Sequence, residues 1–389
     1  MYWQRWLRAS APVFLLLLPL AAHAQVDVGE QLAKLRAVGP KGQGNRAATA
    51  AWKTLARADA AQLSEVLAGM DGAGVLATNW IRAAVETIAE RTLASGNELP
   101  TKSLEVFLLD TKHSARGRRL AYELLERVDK TARTRLIPGL RNDPSLELRR
   151  DAIAMAISDA AKLLETDKKA AASAFREALI SARDVDQINS IAKQIKELGG
   201  KPDLPAHFGF LMRWNLIGPF DNRDKKGFAI AYGPEAEFRA DASYEGLKDQ
   251  VRWFSHTTTD ELGVVDLNKA IGKHMGAVCY AYTEFHADKA GDIELRLGCI
   301  NANKVWLNGK QLTANEVYHA NTFVDQYVGK GKLKKGKNTI LLKICQNEQT
   351  ENWAQRWQFQ LRVCDELGTA VHSLDRPAPR AAAAVRRVR

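Results

Sequence analysis

The chain changes its hydrophobic rhythm once, near residue 200, and that change limits the possible folds more than any other feature. Before it, apolar residues recur at three- and four-residue spacing, the period that lays one stripe of a helix against a core. After it, they alternate with polar residues over short runs, the period of a strand buried on one face. Two rhythms in series predict helices first and β-structure second, rather than one interleaved α/β core.

Residues 27–198 are rich in Ala, Leu, Glu, Lys and Arg, which are strong helix formers. Trp80, Ile81, Ala84, Val85 and Ile88 mark one apolar stripe, and Leu120, Leu124, Leu125 and Val128 mark another. Breaks at 69–74, 96–100, 113–117 and 138–144 separate the helices. Leu109, Arg118, Arg119 and Ala121 return 31 residues later as Leu140, Arg149, Arg150 and Ala152, with a looser copy at Trp80-Ile81-Arg82-Ala83-Ala84. Repeated helical hairpins predict an α-solenoid, in which each unit buries its apolar face on its neighbours. In the clearest unit, 136–157, Asp143 is placed to cap a helix beginning at Pro144, and Leu148, Arg149 and Ala152 follow at set distances. This unit resembles the HEAT repeat, where an aspartate, an aliphatic–arginine pair and an alanine occupy those places. The resemblance spans about residues 70–165 and implies a HEAT-like helical domain over 25–200.

The stretch Gly199-Gly200-Lys201-Pro202-Asp203-Leu204-Pro205 ends the last helix and predicts a linker at 201–205. Beyond it lie Trp214, Trp253, Trp306, Trp353 and Trp357, with alternating runs at 278–285, 292–299, 303–307, 339–345 and 358–364. Such runs, punctuated by turn residues, predict an antiparallel β-sandwich. Asn308-Gly309 between two alternating runs predicts a tight hairpin, because both residues tolerate positive φ. The hairpin Val305-Trp306-Leu307-Asn308-Gly309-Lys310, then Leu333-Lys334-Lys335-Gly336-Lys337-Asn338 before an aliphatic strand, resembles galactose-binding-like jelly rolls. Those include sugar-binding modules attached to many glycoside hydrolases. Trp214-Asn215-Leu216-Ile217-Gly218-Pro219-Phe220 is similar to their opening strand. This second resemblance spans about residues 206–368. The whole chain resembles a family of uncharacterised exported HEAT-plus-jelly-roll proteins, which supplies no activity. The fold class expected is therefore multidomain α + β, with a disordered basic tail at 369–389.

Export is expected from residues 1–24. Arg5 and Arg8 precede a short apolar run, and Ala22-His23-Ala24 offers small residues for cleavage between Ala24 and Gln25. That run is too short to span a bilayer, and no later segment is apolar enough, so the expected location is periplasmic or secreted. The net charge of +11 suggests nucleic acid until it is divided. Two positive charges leave with the signal peptide, and Arg376, Arg380, Arg386, Arg387 and Arg389 lie in the tail. Residues 204–375 hold 21 basic and 21 acidic side chains, so the β-structured half has no field to attract phosphates. Nucleic acid is not an expected partner.

Catalytic chemistry finds little support. Asp260 and Glu261 are adjacent and would point to opposite faces of a strand, and Glu284 with His286 reads as a solvated pair. No nucleophile elbow, zinc motif or phosphate loop is present, so no cofactor is expected. Asp221, Asn222 and Asp224 offer hard oxygens for a structural calcium, though Arg223, Lys225 and Lys226 crowd the same turn. Cys279, Cys299, Cys345 and Cys364 are disulfide candidates in an oxidising compartment, or small core residues.

Glycan binding is the function expected first. Gln346, Asn347, Gln349 and Trp353 leave one strand for the next, combining amides that donate and accept with an indole face. Tyr318, His319 and Asn321 stand in a neighbouring loop, and Trp306 is expected on the face opposite Val305 and Leu307. Trp357 shares parity with Phe359, Leu361 and Val363 and is expected in the core. The helical repeats would dock a protein, with Arg116, Arg118, Arg119, Arg133 and Arg135 offering a basic patch. The alternatives are a purely structural interaction module and a carbohydrate-active enzyme with an unfamiliar site.

Overall fold

The computed structural model describes residues 26–376, so the expected signal peptide and the tail from 377 lie outside the described residues. Helices occupy the N-terminal half and antiparallel sheets the C-terminal half. The chain forms two compact units, Met1–Arg133 and Thr134–Arg389.

The first unit is helical: Val28–Arg36, Asn45–Leu55, Leu63–Ala68, Val75–Ala94, Thr101–Leu109 and Ala115–Val128. Ile81, Ala84, Val85 and Ile88 are buried, as are Leu120, Leu124 and Leu125, so both stripes face a core. Val128 ends its helix exposed. Arg118 is only 1% exposed, and its Nε donates to the Leu108 carbonyl at 2.7 Å. Arg119 binds Glu123 at 3.1 Å, and Arg133 lies 3.7 Å from Glu126. Arg118 of the expected basic patch is therefore spent inside the fold, whereas Arg116, Arg133 and Arg135 are exposed.

The second unit begins with helices Leu146–Lys162, Lys168–Ser181, Val185–Glu197 and Leu204–Phe208. The cap of the first differs from expectation. Ser145 takes the N-cap position before Leu146, while Asp143 accepts the Ser145 N–H at 2.7 Å one turn earlier. Arg149, buried like Arg118, donates Nε to the Asp143 carbonyl at 2.9 Å. Both arginines of the internal repeat thus bind an upstream carbonyl, Arg118 that of Leu108 in the preceding helix and Arg149 that of Asp143 in the loop before its own, each bond being worth about 1.5–3 kcal/mol. Asp203 caps the helix Leu204–Phe208, so part of the expected linker is helical. Phe208 and Phe210 then share one apolar cluster with Ile153, Phe175, Ile188 and Ile191. The change of rhythm at residue 200 is accordingly continuous in packing.

The strands are β1 (Arg213–Asp221), β2 (Ser243–Glu245), β3 (Gln250–Arg252), β4 (Phe254–Thr257), β5 (Val265–Asp266) and β6 (Ala277–Ala287). There follow β7 (Gly291–Cys299), β8 (Ala302–Leu307), β9 (Lys310–Asn315), β10 (Tyr327–Leu333), β11 (Gly336–Gln346) and β12 (Gln358–Cys364). A six-stranded sheet runs β4-β1-β6-β11-β8-β9, a four-stranded sheet runs β10-β7-β12-β5, and β2 pairs with β3 alone. One cluster joins Leu216, Ala281, Val305 and Ile344 of the larger sheet to Leu297, Phe359 and Leu361 of the smaller. Trp357 is fully buried in it, as its parity requires. Asn308 and Gly309 have φ of 52° and 78°, the left-handed pair that the hairpin needs. Residues 369–376, expected to be disordered, instead pack along the sheets: Val371 N donates to Val363 O at 3.0 Å and Leu374 N to His286 O at 2.8 Å.

All four cysteines are buried free thiols, which corrects the disulfide expectation. Register explains it. Cys345 lies opposite Val278, whereas Cys279 lies opposite Ile344, so these two point to opposite faces of one sheet. Cys279 and Cys299 face the shared core from different sheets, and both are free thiols there. Burial pushes the thiols of Cys299 and Cys345 up to about 12, so neither is a ready nucleophile.

The outer face of the six-stranded sheet is covered by the segment after β1. Lys343, on β11, is 0% exposed there. Its ammonium donates to Glu235 at 2.8 Å and to the Phe228 and Ile230 carbonyls, and lies 5.5 Å from the rings of Tyr232 and Tyr280. Tyr280 also donates to Glu235. Burial pulls the Lys343 pKa below its ordinary value, with Glu235 working against that pull.

Two outcomes follow for stability. Glu235→Gln strands a buried ammonium and should cost about 3 kcal/mol in urea unfolding followed by tryptophan fluorescence, while adding Lys343→Met should recover most of it. His207, whose Nε2 is 3.1 Å from the Ala182 carbonyl, is held neutral mainly by burial and secondly by Arg183, with a pKa lowered to about 4. Its folded pKa is depressed, so its contribution is full above about pH 6.5 and is lost as pH falls towards 4. Between pH 7 and 4 the native chain should therefore lose up to about 3 kcal/mol more than His207→Gln does.

Candidate functional site

β11 ends at Gln346 and the chain crosses to β12 through a short helical turn, Asn352–Ala354. A second loop, from β9 to β10, comes alongside it. Tyr318 and His319 sit in that loop, which Asp325 fastens at its far end. The Asp325 carboxylate takes Nε of Arg362 at 2.6 Å and Nη1 of Arg296 at 2.9 Å, and these arginines are direct cross-strand partners on β12 and β7. Burial alone would raise the Asp325 pKa, but the hydrogen bonds and charge of Arg362, then Arg296, hold it below the usual carboxylate range.

His319 closes the gap between the loops. Its Nε2 is 2.7 Å from Asn347 Oδ1, and its ring meets Trp353 edge-on at 5.2 Å. Asn347 is 4% exposed and its orientation is set: Oδ1 accepts the Gln349 N–H at 3.3 Å and Nδ2 donates to Gln349 Oε1 at 2.9 Å. Because that oxygen accepts, His319 Nε2 must donate. Nδ1 is buried and has no hydrogen-bond partner among the described residues. Tyr318 accepts from Asn222 Nδ2 at 3.2 Å, and Lys225 Nζ lies 5.3 Å from the Tyr318 ring. Burial raises the Tyr318 phenol to about 12, so it stays protonated as a donor.

The structure thus gathers Tyr318, His319, Asn347, Gln349 and Trp353 on one rim. Trp353 is 57% exposed, an indole held at the surface where a core would have buried it. Asn321 is exposed in the same loop and joins none of these hydrogen bonds. Two expected members are placed elsewhere. Gln346 is fully buried, accepting from Asn301 Nδ2 at 2.7 Å and donating to the Ala354 carbonyl at 2.9 Å, so it shapes the loop from beneath. Trp306 lies on the outer face as expected, but opposite Leu341. Six residues separate Leu341 from Asn347, roughly 20 Å of strand.

The calcium candidates are engaged in protein contacts. Asp221 forms a forked pair with Arg223, with Nη2 at 2.6 Å, and Asp224 binds Lys226 at 2.8 Å. Asn222 instead ties the rim together, donating to the Gln346 carbonyl at 2.8 Å as well as to Tyr318. No group of acidic, histidine and cysteine side chains suited to a metal occurs among the described residues. The carboxylates considered for catalysis are also separately engaged: Asp260 accepts the Leu262 N–H, Glu261 binds Lys196, and Glu284 binds Lys337. Asn222 and Asp325 had no legible sequence signal as rim residues, because their partners are 29 or more residues away.

No protein-family model matches the chain, and no curated protein matches it. Among solved structures it is similar to an anti-sigma factor domain-containing protein, at 14% identity and TM-score 0.27 over 43% of this chain and 48% of that one. It is similar to a family 35 carbohydrate binding module from Clostridium thermocellum, at 13% identity and TM-score 0.17 over 27% and 99%. It is also similar to a beta-glucosidase from Kluyveromyces marxianus, at 11% identity and TM-score 0.26 over 72% and 35%. The chain therefore spans less than half of the first protein and about a third of the glucosidase. At TM-scores this low none of the three carries an argument about function.

Asn347→Ala should release His319 and the Gln349 N–H together. Amide exchange over 316–322 should then quicken by about tenfold, with a stability loss of about 1–3 kcal/mol, read by exchange mass spectrometry.

Proposed function

We propose that this is an exported, non-catalytic binding protein, periplasmic or secreted, whose rim at Tyr318, His319, Asn347, Gln349 and Trp353 takes a glycan. In this reading residues 25–200 are a HEAT-like solenoid that docks a protein, and 206–368 are a galactose-binding-like jelly roll. The observation that carries it is the exposed Trp353 indole, set edge-on against a histidine whose own position is fixed by a buried amide. A sugar ring presents C–H groups that suit an aromatic face, while its hydroxyls suit amides able to donate and accept. The rim offers both and lacks any paired acid and base placed for hydrolysis. Envelope polysaccharides are the substrate class with which such a surface would meet outside the cytoplasm.

The test is binding of the full chain to a broad polysaccharide panel by affinity electrophoresis and calorimetry. Trp353→Ala should weaken glycan binding at least about tenfold, or 1.4 kcal/mol, and leave the melting temperature unchanged. A blank panel would favour a purely structural module, and turnover of any glycan would favour an enzyme.

A further inference from the structure

The rim does not end at His319. Ala320 N donates to the Ile300 carbonyl at 3.0 Å, and Gln326 Oε1 accepts the Cys299 N–H at 3.2 Å. Between these anchors exposure alternates residue by residue, the pattern of an extended segment lying on a surface. Asn321 and Phe323 are exposed, whereas the Thr322 hydroxyl is buried and Val324 packs against the helical cluster of Phe208 and Phe210. The segment lies directly on β7, where a Cβ on Gly298 would stand 2.5 Å from the Phe323 carbonyl oxygen. Phe323 is 60% exposed, although Val324 and Asp325 beside it are both held.

The reach of the chain limits how far Phe323 stands from Trp353. Phe323 follows His319 by four residues, about 13 Å of extended backbone, and the His319 ring lies 5.2 Å from that of Trp353. The Trp353 and Phe323 rings therefore stand no more than about 25 Å apart, with His319 and Asn321 between them. Both rings are more than half exposed. An amide belongs to each end, Gln349 with Asn347 at one and Asn321 at the other. A single sugar covers one such ring. Two rings at this spacing, with polar groups between, suit a chain of sugars that lies across both. An aromatic face this exposed also leaves the chain free to run on past it.

We propose that the rim binds an extended glycan chain along its length, with Trp353 and Phe323 as two separate sugar platforms and Asn321 serving the hydroxyls between them. This rests on the glycan reading of the rim and adds a ligand class to it: internal stretches of a polysaccharide, not single sugars or chain ends. It also gives a function to Asn321, which takes no part in the hydrogen bonds beneath the rim. Because the segment is anchored on either side of Phe323, little ordering is needed when the second platform is filled.

The probes are cello-, xylo-, manno- and chito-oligosaccharides, from dimer to hexamer, titrated into the full chain by calorimetry. In a series that binds, affinity should rise at least about tenfold from dimer to hexamer. Phe323→Ala should remove most of that rise at unchanged melting temperature, and Asn321→Ala should reduce it. Trp353→Ala should weaken binding of every length. Equal affinity for dimer and hexamer would overturn the proposal and leave the glycan reading standing. So would a rise with length that Phe323→Ala leaves intact. Silence from every series would overturn it as well, and a blank polysaccharide panel beside that silence would remove the glycan reading too.

Discussion

β11 is hydrogen-bonded along both edges and buried on both faces, and the rest of the sheet-bearing half is arranged around that constraint. A strand in this position has no freedom to slip, because a one-residue shift would exchange its two faces. Ile340, Leu342 and Ile344 would leave the shared core, and Lys343 would enter it without an acceptor. With register locked, the end of the strand is a fixed platform. Gln346 and Asn347 stand on it at known heights, and the loops from β9 and towards β12 are attached to those two amides.

The same double burial creates the Lys343 problem and its solution. An ammonium on a covered face must find acceptors or lose its charge. Glu235 and two backbone carbonyls supply them, and all three belong to the segment that does the covering. The cover and the charge thus hold each other in place. A buried ion pair of this kind adds little net stability compared with apolar residues of the same volume. Its effect is to define one position for the segment, which in turn places Asn222 beneath Tyr318.

Legibility followed the range of the interaction. Alternation is local, so the strands, the Asn308-Gly309 turn and the inward face of Trp357 could be read directly. Repeat spacing is nearly local, so Arg118 and Arg149 could be matched before either was known to be buried. Three of the expectations that failed or shifted were decided at long range. Gln346 looked like a surface amide until Asn301, in the turn between β7 and β8, donated to its oxygen. The cysteines looked pairable until register turned Cys345 away from Cys279. Trp306 and Trp353 looked like partners because both are outward tryptophans, yet strand rise alone separates them. Ser145 shows the smaller version of this effect, taking the N-cap two residues beyond Asp143, which accepts the Ser145 N–H instead.

A binding surface gains affinity when little of it must be ordered on contact. The rim meets that condition through bonds made below it. Asp325 holds one end of the Tyr318–His319 loop to two strands of the smaller sheet, and Asn347 holds the other to the larger one. Gly276, whose N–H binds the Asn347 carbonyl and whose own carbonyl takes the Asn222 N–H, ties the neighbouring segment into the same lattice. Trp353 is the exposed member of the rim, while Gln349 is held to Asn347. The surface is therefore held from underneath and left open at its edge, where Trp353 stands.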